Sequence, residues 1–121
     1  MKNKVLIVSS NYYDEVSSNL IKGATEELKI NNIEFEVVYA PGCFEVPFLI
    51  SKNIKKYIGF IALGCVIRGE TYHFNLIANE CARKIMDISN FSLKPIGFGI
   101  LTCENLEQAI NRSDIRKKNK G

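Results

Sequence analysis

The chain has 121 residues, a formal net charge of +3, 46% hydrophobic residues and 24% charged residues. These values are typical of one globular domain that buries a core, and they exclude a disordered chain. A charge of +3 is too small to indicate nucleic-acid binding by itself. No apolar run approaches the length of a membrane span, and the run after the basic start "MKNK" is too short for a secretory signal. We therefore expect a single domain over residues 1–121, in the cytoplasm, without a membrane or nucleic-acid partner.

The first predicted elements are a strand and a helix. The β-branched run "KVLIVSS", residues 4–10, is typical of a strand that is buried on both faces. A helix is predicted from Val16, because apolar side chains recur every four residues at Leu20, Ala24 and Leu28.

The next predicted elements are a strand over 33–40, a helix over 44–57 and a strand over 59–64. Pro47 falls in the first turn of that helix, where a missing N–H does no harm. The longest helix is predicted from Thr71, whose hydroxyl suits the N-cap position. Its apolar stripe comprises Phe74, Ile77, Ala78, Cys81 and Ile85.

A strand over 95–101 and a helix over 105–112 complete the pattern. Strands that alternate with helices through short connections predict a parallel sheet with right-handed crossovers. We therefore predict an α/β three-layer sandwich around a four-stranded parallel sheet. Ligands bind such folds beyond the carboxyl ends of the strands. The candidate site residues are accordingly those at 9–13, 41–45, 65–73 and from Thr102 onward.

Cysteine spacing does not indicate a metal site. Cys43, Cys65, Cys81 and Cys103 form no CxxC pair, and the chain holds one histidine. Their apolar or strand-end contexts predict reduced, semi-buried thiols, as in a cytosolic protein.

The stretch "GCVIRGETYHF", residues 64–74, places polar and reactive residue types directly after a strand. Gly69 permits a tight turn or a close approach of a ligand, and the following helix start, with Thr71, favours an anion. His73, in the first turn, can carry protons near neutral pH. The alternative for His73 is a surface histidine beside a capped helix.

The candidate residues after the other strands also have two interpretations each, one functional and one structural. Tyr12 can stack on a flat ligand or pack a loop with Tyr13. Glu45 can accept hydrogen bonds from a polyol or an amine, or it can complement a helix dipole. Arg112 and Lys120 can hold a phosphate or carry solvent-facing charge, and the basic ending "RSDIRKKNKG" also fits a frayed terminus. Together these residue types predict a small-molecule enzyme with a phosphorylated ligand.

Five stretches resemble successive motifs of the lumazine synthase family of riboflavin biosynthesis. They are "LIKGATEEL", "PGCFEVPF", "LGCVIRGETYHF", "FGILTCENLEQAINR" and "NKG". The resemblance implies a flavodoxin-like fold and the condensation of 5-amino-6-ribitylaminouracil with 3,4-dihydroxy-2-butanone 4-phosphate. The amine attacks the carbonyl, an imine forms, phosphate is eliminated, and the second ring closes with loss of water. The resemblance implies no metal or redox cofactor.

The resemblance also implies site residues. His73 matches the general acid/base, and Tyr12 stands where the family stacks a Phe or Trp on the pyrimidinedione. Phe98 and Arg112 match positions that a neighbouring subunit supplies, and Arg112 matches the one that binds the phosphate. The remaining matches are Phe44 and Glu45 for the ribityl chain, Cys65, Val66 and Ile67 for the backbone around the pyrimidine, Glu70 and Thr71 for the phosphate, and Lys120 near the same pocket.

The chain also departs from the family pattern. "NYY" replaces the usual Arg-Phe-Asn after the first strand, so Tyr13 stands in place of an asparagine. We expect the family's C-terminal helix to be missing or truncated. The resemblance implies self-association into pentameric rings or larger shells. Besides an active enzyme, two alternatives are a non-catalytic flavin- or phosphate-binding relative and a shell-forming subunit of the same fold.

Overall fold

A computed structural model describes residues 3–68 and 73–114 of the chain, except for the side chain of His73. The strands are β1 (Val5–Ser10), β2 (Phe35–Ala40), β3 (Gly59–Ile67) and β4 (Ile96–Cys103). The helices are α1 (Asp14–Ile30), α2 (Val46–Lys52), α3 (His73–Ser92) and α4 (Leu106–Ser113), and a 3₁₀ turn (Cys43–Glu45) precedes α2.

The four strands form one parallel sheet in the order β2-β1-β3-β4. The strand order reverses direction between β1 and β3, and ligand crevices of open α/β sheets lie at such a switch point, beyond the carboxyl ends of the strands. The predicted α/β fold with a four-stranded parallel sheet is confirmed.

Helices cover both faces of the sheet, which gives three layers. One core lies under α1 and α4, where Ile7 of β1 packs with Leu20 and Ala109. The other core lies under α2 and α3, where Leu6 and Val8 face the opposite way. All three β1 side chains are completely buried. Burial on both faces explains why this strand is a continuous apolar run rather than an alternating one.

Strand β3 is longer than predicted, because it continues past Gly64 to Ile67. Its pairing with β1 stops at Ser9–Leu63, whereas its pairing with β4 runs on to Ile67–Cys103. β-branched side chains favour this extension. The carboxyl edge of the sheet is therefore stepped, and β3 and β4 stand above the end of β1.

The second helix is shorter than predicted, with α2 ending at Lys52. The Asn53 side chain donates a hydrogen bond to the Leu49 carbonyl at 2.8 Å, and such bonds compete with continuation of a helix. Pro47 does lie in the first turn of α2. Of the α3 stripe, Cys81 and Ile85 are buried, while Phe74 and Ile77 pack against the same core. Among the helices within the described ranges, none is long and apolar enough to span a membrane.

Candidate functional site

A cavity of about 370 Å³ lies at the carboxyl edge of the sheet, at the switch point. Its walls come from the segment after β1, the segment after β2, the end of β3 and the start of α3. The lining residues are Tyr12, Tyr13, Pro41, Gly42, Cys43, Glu45, Cys65, Val66, Ile67, Phe74 and Ile77. Short connections bring residues that are far apart in sequence to one edge, as parallel topology requires.

Gly64 makes the close packing beneath this cavity possible. A Cβ atom at this position would lie 2.6 Å from the Cys43 Sγ and 2.7 Å from the Ser10 Oγ. Those two atoms are 3.6 Å apart, and the Cys43 thiol also donates a weak hydrogen bond to the Cys65 carbonyl at 3.6 Å. Only a residue without a side chain lets β1, β3 and the 3₁₀ turn approach so closely.

The four cysteines are free and buried. Burial, with a smaller contribution from the neighbouring Cys103, raises the pKa of Cys65 well above its ordinary value. Burial also raises the pKa of Cys43, although hydrogen bonds to Ser10 and Cys65 oppose this shift. The thiols at the cavity are therefore protonated near neutral pH. They line the site as neutral groups and are not nucleophiles, since the thiolate is the reactive form.

Two tyrosines form the rim above the end of β1. The rings of Tyr12 and Tyr13 meet edge to face, with centroids 4.9 Å apart and planes at 80°. Tyr12 is 73% exposed, so one face of its ring is open to a flat ligand. Burial, then the nearby Cys65, raises the pKa of the Tyr13 phenol, which therefore stays a hydrogen-bond donor.

Glu45 lines the cavity, but Phe44 does not. The 3₁₀ turn aims the Glu45 carboxylate back toward Gly42, where an added Cβ would lie 3.2 Å from its Oε1. Phe44 instead lines an adjacent hollow of about 380 Å³ between α2 and α3, and its side chain is half exposed.

Phe98 and Arg112 lie together, away from the cavity. Both line a hollow of about 370 Å³ along β4, which is an edge strand of the sheet. Arg112 donates a long hydrogen bond to the Thr102 carbonyl at 3.4 Å, and Phe98 is 50% exposed. The Phe98 ring is therefore half exposed at this edge of the sheet, and the Arg112 guanidinium lies beside the last residues of β4.

The end of β3 is tied to the starts of α3 and α4. The Arg68 backbone N–H donates to the Cys103 carbonyl at 2.8 Å. Its guanidinium contacts the Glu104 carboxylate at 3.0 Å and lies over the Phe74 ring, 4.5 Å from the centroid.

Several predicted site residues lie outside the described part of the chain. These are Gly69, Glu70, Thr71 and Lys120, together with the side chain of His73. The backbone of His73 is the first residue of α3, next to Phe74 in the cavity wall.

A larger cavity of about 840 Å³ lies between the carboxyl ends of α2 and α3. Apolar Ile54, Ile88 and Phe91 contribute to its lining. None of the predicted site residues contributes to it. The smaller cavity is therefore the candidate site, because predicted site residues from three strand ends line it.

The predicted ranges 9–13 and 65–73 include Ser10 and Arg68, but the sequence patterns gave neither residue a role, and they did not assign Gly64 or Phe74 to the site. Their neighbours across the sheet are distant in sequence, and only the strand register brings them together. For Arg68, its place directly before "GETYHF" was the one available signal.

A parallel α/β sheet with an apolar, polar-rimmed cavity at its switch point is the architecture of a small-molecule-binding protein or enzyme. The family model for 6,7-dimethyl-8-ribityllumazine synthase matches residues 2–121. The chain belongs to the 6,7-dimethyl-8-ribityllumazine synthase family.

Individual relatives agree with this assignment. A 6,7-dimethyl-8-ribityllumazine synthase of Bartonella tribocorum is 44% identical over 99% of this chain and 82% of its own length. One from Bartonella henselae is 45% identical over 99% and 80%, and one from Agrobacterium fabrum is 41% identical over 99% and 86%. Among solved structures, a de novo designed Rossmann fold protein covers 88% of this chain and 90% of its own length at a TM-score of 0.43 and 13% identity. That likeness is too distant to support an argument.

Proposed function

We propose that this protein condenses 5-amino-6-ribitylaminouracil with 3,4-dihydroxy-2-butanone 4-phosphate to 6,7-dimethyl-8-ribityllumazine, releasing phosphate and water. One observation carries the proposal. Tyr12 stands where the family has a stacking ring, and Glu45 and the stretch 65–67 fall in two separate family motifs; all of them line one cavity at the switch point of the sheet. Membership of the family over residues 2–121 supplies the reaction.

In this proposal the cavity holds the pyrimidine substrate. The exposed ring of Tyr12 stacks on the pyrimidinedione, and the Glu45 carboxylate accepts hydrogen bonds from ribityl hydroxyls. Within the described strands, β1 pairing ends at Ser9–Leu63, so the peptide groups of residues 65–67 that face β1 have no strand beside them. Such N–H and C=O groups complement the alternating donors and acceptors at the edge of a uracil ring.

The chemistry is positioning together with proton transfer. Amine addition, imine formation, phosphate elimination and ring closure each move a proton, and we assign that transfer to His73, the first residue of α3. The cysteines take no part as nucleophiles, because the pKa values of Cys43 and Cys65 are raised. Glu70, Thr71 and Lys120 are the proposed phosphate-side residues by family resemblance.

We further propose that each site is shared between two copies in a ring, most simply a pentamer. Phe98 and Arg112 line a hollow on the β4 edge, whereas Tyr12 and Glu45 line the cavity. A copy that offers its β4 edge to the cavity of the next makes a head-to-tail contact, and such contacts close into rings. The proposal places the enzyme in the cytoplasm, which the free, buried cysteines support, since thiols stay reduced there.

The direct test is an assay for lumazine and phosphate from the two substrates, with no metal added. We expect product formation above the uncatalysed rate, and a loss of turnover between about tenfold and ten-thousandfold, nearer the low end, in His73→Ala. Folded protein that gives no product above background would overturn the enzyme proposal. Unchanged turnover in His73→Ala would remove His73 from its role.

A mixing experiment tests the shared site. An inactive Tyr12→Ala/His73→Ala variant and an inactive Arg112→Ala variant are unfolded and reassembled together in equal amounts. In random rings, a site is intact when one chain supplies the cavity and its neighbour supplies Arg112, so about a quarter of the sites should recover. No recovery in rings shown to be mixed by native mass spectrometry would overturn the shared site.

A further inference from the structure

We propose that Arg68 is a positioning residue, which fixes Phe74 and the first turn of α3 against the carboxyl ends of β3 and β4. Arg68 has no role in the function proposed above. The inference rests on that function, since Phe74 is part of the proposed substrate cavity.

The contacts of Arg68 join three elements of the fold. Its backbone N–H donates a hydrogen bond to the Cys103 carbonyl at 2.8 Å, which fixes the Arg68 backbone next to the end of β4. Its Nε lies 3.2 Å from Oε1 and 3.0 Å from Oε2 of Glu104, which sets the plane of the guanidinium. The same guanidinium stacks over Phe74, with its Cζ atom 4.5 Å from the ring centroid. A planar cation held by a carboxylate is suited to this contact with an aromatic face.

Glu104 is itself anchored. Its backbone N–H donates to the Gln108 Oε1 at 2.8 Å, and the Gln108 N–H donates to the Asn105 Oδ1 at 2.8 Å. Asn105 is the N-cap of α4. The backbone of the residue whose carboxylate orients Arg68 is therefore fixed to the start of α4, and Arg68 links Phe74 to the ends of β3 and β4 and to this helix start.

The exposure of the Arg68 and Glu104 side chains indicates that their contact positions Phe74 rather than stabilises the fold. The side chains of Arg68 and Glu104 are 48% and 62% exposed, and exposed ion pairs of this kind contribute little to folding stability. Phe74, in contrast, is part of the cavity wall and directly follows His73. Loss of Arg68 should therefore change substrate binding and turnover far more than thermal stability.

The test compares kinetic constants and thermal stability in one set of variants. For Arg68→Ala we expect KM for 5-amino-6-ribitylaminouracil to rise and kcat to fall, each by about three- to tenfold, with Tm lowered by less than about 4 °C. Glu104→Gln and Phe74→Leu should act in the same direction. The double variant Arg68→Ala/Phe74→Leu should be about as impaired as its worse single parent, because both changes break one contact.

A direct electrostatic role makes different predictions. If the Arg68 charge attracted the phosphorylated substrate, Arg68→Lys would behave like the unsubstituted protein, and Glu104→Gln would lower KM for the butanone phosphate. In the positioning role, Arg68→Lys is impaired, because an ammonium cannot hold the carboxylate and cover the ring at once. A wild-type-like Arg68→Lys, or losses that add fully in the double variant, would overturn the inference.

Arg83→Ala is the matched control. Arg83 lies further along α3, and its ion pair with Glu80 is short at 2.8 Å and similarly exposed. Its kinetic constants should stay within about twofold of the unsubstituted protein. Losses as large as those of Arg68→Ala would overturn the inference, since any exposed ion pair would then suffice. An inactive unsubstituted protein would overturn the proposed function, whereas an active one with a normal Arg68→Ala would overturn only this inference.

Discussion

Gly64→Ala tests the link between the sheet and the cavity most directly. The added Cβ would lie 2.6 Å from the Cys43 Sγ and 2.7 Å from the Ser10 Oγ, about 1 Å inside ordinary contact distance. Both neighbours are at most 5% exposed, so neither can swing out into solvent. The strain therefore moves the 3₁₀ turn, which carries Cys43 and Glu45, away from β3.

Overpacking of a buried site costs about 1–3 kcal/mol, and alanine returns part of this because glycine is unfavourable within a strand by about 0.5–1 kcal/mol. Two contacts this short against buried neighbours place the cost near the upper end of its range, so we expect a net loss of about 2 kcal/mol. At about 2.1 cal/mol/K per residue, a chain of 121 residues has an unfolding entropy of about 0.25 kcal/mol/K, so Tm should fall by about 8 °C. KM for the pyrimidine substrate should rise as well, because the displaced turn carries part of the cavity wall.

Urea unfolding at fixed protein concentration measures the loss. Gly97→Ala is the control, since an added Cβ there would meet no atom of the described residues closer than the Ile61 Cγ1 at 3.7 Å, and its stability should stay within about 1 kcal/mol. In Gly64→Ala/Cys43→Ala, removal of the sulfur should make the double variant less destabilised than the sum of its parents. The packing argument is refuted if Gly64→Ala unfolds within about 0.5 kcal/mol of the unsubstituted protein.

Three further predictions concern other parts of the chain. Leu93 is 87% exposed and has a left-handed backbone with φ of 60°, so Leu93→Gly should raise stability by about 0.5–1 kcal/mol. Asn32→Gly, at φ of 56°, should be neutral. Equal Tm values for Leu93→Gly and the unsubstituted protein would contradict this prediction. Burial raises the pKa of Cys81 from 9.0 to about 12, so the contribution of the protonated thiol to stability is full below pH 9. Above pH 9 this contribution declines by up to about 1.4 kcal/mol per pH unit, up to pH 12. Cys81→Ala should therefore flatten the fall in urea midpoint between about pH 8.5 and 10.5, and an unchanged slope would show that the thiol does not cause it. Arg112→Ala should weaken the butanone phosphate and inorganic phosphate far more than the pyrimidine, and calorimetry with equal losses for both would contradict the phosphate role.

Local sequence patterns were sufficient for the order of the elements. The run at β1 is apolar on both faces because both faces are covered, and the stripe of α3 faces one core. Lengths were harder to predict. The β-branched residues Val66 and Ile67 favour a strand but do not fix its length, and β3 continues there because β4 lies alongside as far as Cys103. The early end of α2 coincides with the hydrogen bond from the Asn53 side chain to the Leu49 carbonyl, a contact that the residue type alone does not specify.

Some residues of the candidate site could likewise be predicted from the sequence, and others could not. Residue types at strand ends indicated Tyr12, Glu45 and Cys65 without any contact information, because parallel topology brings all strand ends to one edge. The roles of Ser10 and Gly64 follow from distances of a few ångströms across the sheet, which no local pattern encodes. Phe44, matched to the ribityl chain by resemblance, lines the adjacent hollow instead of the cavity, because the 3₁₀ turn directs Phe44 and Glu45 to different sides.

The placement of Phe98 and Arg112 connects the fold to the proposed assembly. A chain of this topology has two edge strands, and β4 is the one next to β3, whose end forms the cavity wall. The Phe98 ring and the Arg112 guanidinium on that edge face a hollow that shares no lining residue with the cavity. A half-exposed ring and a cation gain most when a second surface covers them, because burial of apolar area and pairing with an anion then act together. The same edge therefore gives a physical reason both for association and for a site that depends on it.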